Sequence, residues 1–199
     1  MNLIPAKANP EKRLFISLIT RDIPLVAAFL DLIDNSINSS VEPVSQELQT
    51  AADYERMLAD EKISPEVEIS LEISPERIEI TDSASGIFWE TARDHVFTFG
   101  RSTDKPHPSD RLSVYGIGLK RAIFKLGNKV TINSDHVNGG FGLTLDVTKW
   151  AEERMMPWSF PISRRDPVDP GCTGTRIIVE SLHDEDEEAR CGWSIPWAA

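Results

Sequence analysis

Apolar residues at Leu25, Phe29, Leu32, Ile33 and Ile37 recur at helical spacing, with Ser36 on the same side, and predict a helix from about Ile23 to Ser40. Asp22 is placed to cap its start, and Pro24 sits early enough that its missing N–H does no harm. Asp31, Asp34, Asn35 and Asn38 fall together in an arc about 100° wide, so this helix carries a buried face and a narrow carboxylate/amide stripe. Residues 44–62 are polar with a sparse apolar stripe and predict an inserted surface helix. Residues 66–73 alternate strictly, with Val67, Ile69, Leu71 and Ile73 on one side, which predicts a half-buried strand. The turn Ser-Pro-Glu then returns the chain as an antiparallel partner over 77–82, ending at Asp82.

Residues 88–97 read as helical, whereas 98–115 turn to Gly, Ser, Pro, Asp and Arg and predict a long irregular loop, a length usually kept for function. GLKRAIFKLG predicts a short helix with Gly127 as its C-cap. Strands are expected over 129–134, 141–147 and 174–182, and the segment before the first helix reads as a short N-terminal arm.

A chain of 199 residues, 40% hydrophobic and 27% charged, is sized for one substantial core. The expected division is one domain over 1–183 and an acidic tail over 184–199 leading toward a further C-terminal region. No apolar run reaches 18 residues and the N-terminus lacks a signal-peptide core, so the expected location is cytoplasmic with no membrane contact. Cys172 and Cys191 have no metal-ligand spacing and read as reduced thiols. The net charge of −11 argues against direct nucleic-acid binding. It is unevenly spread, however: from Phe99 to Val130, Arg101, Lys105, Arg111, Lys120, Arg121, Lys125 and Lys129 face only Asp104 and Asp110. That window suits an anion.

Within the window, YGIGLKRA opens a helix with a glycine pair, which permits close backbone approach and leaves outward N–H groups, the usual way of holding phosphate. Lys120 and Arg121 just inside it favour the same anion. Three separated features therefore invite one explanation: the polar stripe, the strand-end Asp82 followed by SASGI, and the glycine pair in the basic window.

Their order resembles the GHKL ATPases, which include gyrase B-type subunits, mismatch-repair MutL proteins, ninety-kilodalton heat-shock chaperones, histidine kinases and MORC proteins, with the MutL/MORC-like branch nearest in pattern. FLDLIDNSINSS is similar to the family's N-box, ITDSASGI to its DxGxG box, FGRSTD with YGIGLK to its lid and second glycine box, and TGTRIIV to its final Gly-Thr strand. The resemblance implies an α+β Bergerat fold, a two-layer α/β sandwich with a mixed, mostly antiparallel sheet, helices on one face and a long lid over ATP.

It also implies roles. Asn35 would bind Mg²⁺ bridging the ATP phosphates, consistent with a hard cation that keeps several waters and needs few protein ligands. Asp82 would accept a hydrogen bond from the adenine amino group with Thr175 in support, and Gly86, with Ile87 beside it, would let the backbone pass the ring. Gly116, Gly118, Leu119 and Lys120 would meet the phosphates, and Arg101, Ser102 and Thr103 would lie on the lid. Asp31 stands where hydrolysing members place a water-activating glutamate, and it is shorter by one methylene, about 1.5 Å of reach. Ala84 and Ser113 replace glycines of the family pattern; the first implies a backbone position content with negative φ, the second a different lid turn.

The function implied is Mg²⁺-dependent ATP binding and hydrolysis by a conformational switch acting on a partner, a following domain or a second copy in an ATP-dependent homodimer. A nucleotide sensor with little hydrolysis is the alternative that Asp31 invites; a further alternative is the histidine-kinase branch, in which phosphate goes to a histidine, and against it this sequence shows no preceding dimerisation helix with an exposed histidine. His95 reads as an interior or boundary residue and His107 as solvated. The tryptophans could serve the core or a partner, and no nucleophile-elbow motif supports a serine hydrolase.

Overall fold

The computed structural model describes residues 11–45, 67–99, 117–152 and 158–183, with side chains of the second helix described as far as Ile37. In chain order these form α1 (Lys12–Thr20), α2 (Leu25–Ser45), β1 (Ile69–Ile73), β2 (Arg77–Asp82), a single α-helical turn α3 (Trp89–Thr91) that widens into a π-helix (Ala92–Val96), α4 (Gly118–Leu126), β3 (Gly127–Asp135), β4 (Phe141–Asp146), α5 (Val147–Glu152), β5 (Ile162–Arg164), a 3₁₀ turn (Pro170–Cys172) and β6 (Gly174–Leu182). The strands make one sheet in the order β1-β2-β6-β3-β4-β5. Every described pairing is antiparallel. The result is the expected α+β sandwich.

Register explains both the core and the site. Ile78 lies opposite Val179, which lies opposite Val130, which lies opposite Leu145; Ile80, Ile177, Ile132 and Leu143 form the next row but one, on the same face. Those eight side chains pack with Ala28 and Leu32 of α2 and with Ala122, Ile123 and Leu126 of α4. Burying each of the larger ones is worth roughly 1.5–3 kcal/mol. The alternate face is ionic: Glu79 is held by Arg176 and Arg77. One step further along the core face, the same three central strands carry Asp82, Thr175 and Ser134, so two apolar rows give way to a polar one at one end of the sheet.

Several expectations are corrected. The presumed N-terminal arm contains α1, whose Phe15 meets Phe99 and Trp158 edge-on and whose Lys12 is buried, donating to the Trp150 carbonyl at 3.1 Å. Strand β1 is not half-buried: Leu71 and Ile73 are 39% and 60% exposed, because the strand occupies the sheet's edge. His95 is exposed on the π-helix. Gly127 is the C-cap of α4 as expected, but with an extended backbone in place of the left-handed turn common there. Its φ of −177° makes it the first residue of β3, and a Cβ there would lie 2.8 Å from the Glu180 carbonyl oxygen. Helix α5 and the short β5 were not foreseen; Asp146 starts α5 by accepting from the Lys149 N–H at 2.8 Å. The inserted helix expected over 44–62 and the loop over 98–115 lie largely outside the described residues, as does the tail over 184–199.

Candidate functional site

Asp82 ends β2 and its side chain is buried, so each oxygen must find a partner. Its Oδ1 accepts from the backbone N–H of Ala84 and of Thr175, both at 3.1 Å, and its Oδ2 accepts from the Ser36 hydroxyl at 2.8 Å. Burial raises the carboxyl above its ordinary pKa, while these three hydrogen bonds oppose the shift. The row continues sideways: the Ser134 and Thr175 hydroxyls are 2.9 Å apart, and Ser134 Oγ accepts from the Ile87 N–H at 2.7 Å. One strand-end carboxylate and two hydroxyls thus converge beside the loop 83–88. Ala84 is buried and takes no positive φ, as its substitution for glycine implies.

Gly86 keeps that loop against the sheet. Its φ is +67°, and a Cβ would lie 1.9 Å from the Asp135 carbonyl oxygen, so both conformation and space demand glycine. The close neighbour is therefore the end of β3; the expected close approach to a base would be additional to it. Replacing Gly86 by alanine is expected to destabilise the fold by about 3 kcal/mol or more, read from the urea midpoint. A loss below about 1 kcal/mol would show that the loop relaxes freely.

The other side of the site is the meeting of α2 and α4. Gly118 opens α4 with its Cα directed at Asp31: an added Cβ would lie 3.4 Å from Asp31 Oδ1. Arg121, one turn in, holds both Asp31 oxygens, Nε–H to Oδ2 and Nη2–H to Oδ1, each at 2.8 Å. Asn35, one turn after Asp31, donates its Nδ2 to the Asp31 backbone carbonyl, and its amide oxygen has no protein partner among the described residues. Asp34 is half-buried beside it. Successive residues of one helix therefore reach from Asp82, through Ser36, to Gly118, through Asp31, with Asn35 between.

Lys120 departs from expectation. Its side chain is 1% exposed, its ammonium donates to the carbonyls of Val96 at 2.7 Å and Thr98 at 2.8 Å, and it lies 5.7 Å from the Phe99 ring centre. Burial lowers its pKa to about 8. In this arrangement it ties α4 to the end of the π-helix instead of facing a phosphate, and Arg121 is the cation of that turn aimed at the stripe. Leu119 is half-buried and packs on the core, as does Ile87. Gly116, Arg101, Ser102, Thr103 and Ser113 lie outside the described residues, as does the side chain of Asn38. The sequence reading missed Ser36 and Ser134 as site residues.

Residues 23–175 match the family model described as histidine kinase-, DNA gyrase B-, and HSP90-like ATPase. The chain belongs to this ATPase family. No curated protein matches it. The GHKL-type match takes in every sequence-predicted site residue from Asp31 to Thr175, and with it the domain's capacity for ATP. No described helix of this GHKL domain is long and apolar enough to cross a membrane.

Proposed function

We propose that this domain binds ATP with Mg²⁺, hydrolyses it, and serves as a conformational switch for a partner, a following domain or a second copy. The observation that carries the reading is the continuity from Asp82, through Ser36, Asn35 and Asp31 of α2, to Gly118, from a hydrogen-bonding strand end to a helix N-terminus. Asp82, backed by Thr175 and Ser134, is the acceptor for an adenine amino group. Three N–H groups at the start of α4, with Arg121, suit the phosphates. The order of motifs favours the MutL/MORC-like branch.

The residues present fit a magnesium ion. No cluster of three or more His, Cys, Asp or Glu side chains exists among the described residues, so no all-protein cage is built, whereas Asn35 offers one hard amide oxygen. Mg²⁺ suits such a site because it retains waters and draws further ligands from the substrate's phosphates. Bound there, it would neutralise phosphate charge. In hydrolysis, a water oxygen bonds to the terminal phosphorus as the bond to the bridging oxygen breaks. ADP departs, and the water's proton passes to the Asp31 carboxylate.

A second reading, nucleotide sensing without turnover, is favoured by the two-point grip of Arg121 on Asp31. Both readings require binding. In a thermal melt, ATP with Mg²⁺ at about 100 times its dissociation constant is expected to add about 2.7 kcal/mol of stability, with a smaller effect when Mg²⁺ is chelated. An unchanged melt at millimolar ATP and Mg²⁺ would sink both.

A further inference from the structure

The Arg121–Asp31 pair joins residues 90 apart in sequence, and both side chains are largely shielded, 32% and 17% exposed. It is the tie between the polar stripe of α2 and the first turn of α4, the elements that the proposed function places around the phosphates. Arg121 is held in that turn by its own backbone, whose N–H donates to the Ile117 carbonyl at 2.8 Å. Neighbouring Lys120 cannot substitute for it, since its ammonium is committed to the Val96 and Thr98 carbonyls.

A planar guanidinium grips a carboxylate and a phosphate with the same two-point fork. Asp31 and a terminal phosphate are therefore rivals for one donor. While Arg121 holds both oxygens, Asp31 must change partners before it can take a proton from water.

We propose that Arg121 is a positioning switch that clasps Asp31 in the nucleotide-free domain and transfers to the terminal phosphate of a triphosphate, releasing Asp31 toward the attacking water. The switch rests on the ATP reading above, and it makes the resting state self-inhibited: the base is exposed only when the phosphate it serves is present. A diphosphate, lacking that group, leaves the clasp closed. The same competition weakens binding, because nucleotide must displace a partner already in place.

Two measurements on the full chain test this. The first is the NMR resonance of the Arg121 Nε–H, with the hydrolysis-resistant analogue whose β–γ bridge is nitrogen. Mg²⁺ with the analogue should shift that signal; Mg²⁺ with ADP should leave it at its nucleotide-free position. The second is a double-mutant cycle on analogue affinity by calorimetry, using Asp31→Asn, Arg121→Gln and both together.

Competition predicts that Asp31→Asn tightens the analogue about tenfold when Arg121 is present and clearly less when it is absent. If Arg121 serves only to neutralise a nearby carboxylate, the order reverses, because an unpaired Asp31 repels phosphate most. An unmoved Nε–H signal in a demonstrably analogue-bound protein, or the reversed cycle, overturns the switch and leaves ATP binding standing. Absence of any nucleotide binding in the folded parent overturns both.

Discussion

Replacing Asp82 by asparagine is expected to lower ATP affinity about a hundredfold or more while the fold stays within about 1 kcal/mol of the parent. The two expectations separate because the side chain has two tasks. Asparagine Oδ1 can still accept from the Ala84 and Thr175 N–H groups, and the Ser36 hydroxyl, now a donor to Oδ2, can turn to accept from Nδ2. An adenine amino group, by contrast, meets an N–H where it needs an acceptor. Equilibrium binding by calorimetry and unfolding by urea give the two readouts. Parent-like affinity in a folded variant would remove Asp82 from the adenine site.

The same substitution has a pH signature. Burial raises the Asp82 carboxyl pKa in the folded state, so the native protein holds this proton more tightly than the unfolded chain does. Its contribution to stability is therefore most favourable below the ordinary carboxylate range and declines as pH rises through the raised pKa, beyond which it is constant. Asp82→Asn should remove that component from the acid limb of the stability profile.

Asp31→Asn is expected to reduce ATP turnover by about 10²–10⁴-fold with nucleotide affinity kept or raised, since loss of the general base falls on the chemical step and not on binding. Phosphate release at saturating ATP measures it. Turnover equal to the parent's would show that another group receives the proton, and a parent that binds but releases no phosphate would establish the sensor. Asparagine keeps one neutral acceptor for the guanidinium and loses the charge and the second oxygen, so the helix contact is loosened while the packing of α2 on α4 is kept.

Much of the architecture was legible because periodicity reports one-dimensional facts. The two-sided α2, the hairpin delivering Asp82, the helix after the glycine pair and the final strand each announced themselves within a dozen residues, and all four are present. Helix α1 did not, because its outward side carries Leu14 and Leu18 at 55% and 56% exposure while its inward side carries Lys12, a reversal that defeats a hydropathy reading. Gly127 does cap α4, but what demands glycine there was not legible: an added Cβ would lie 2.8 Å from the Glu180 carbonyl oxygen of β6, a strand distant in sequence.

The site was legible to the extent that its residues are distinctive types. Asp31, Asn35 and Asp82 stand out where a helix or strand has no local reason for them. Ser36 and Ser134 are small and neutral, and their roles come from register, which places Ser134 opposite Thr175 and brings Ser36 over Asp82. Lys120 and Arg121 look alike in sequence, yet the roughly 100° between successive helical positions sends the first into the core and the second to Asp31. Only packing separates adjacent cations.

The abrupt passage from α4 into β3, with Leu126 ending one and Gly127 beginning the other, has a mechanical corollary. No slack intervenes, and β3 is paired on both sides, with β6 and β4, so the far end of that helix is anchored in the interior of the sheet. A load applied at Gly118 has little freedom to travel inward. It is borne at the helix's opening turn and, through the Lys120 ammonium, by the carbonyls of Val96 and Thr98. The helix is in effect a cantilever rooted at Leu126, with its loaded tip at Gly118, where the proposed phosphate site lies.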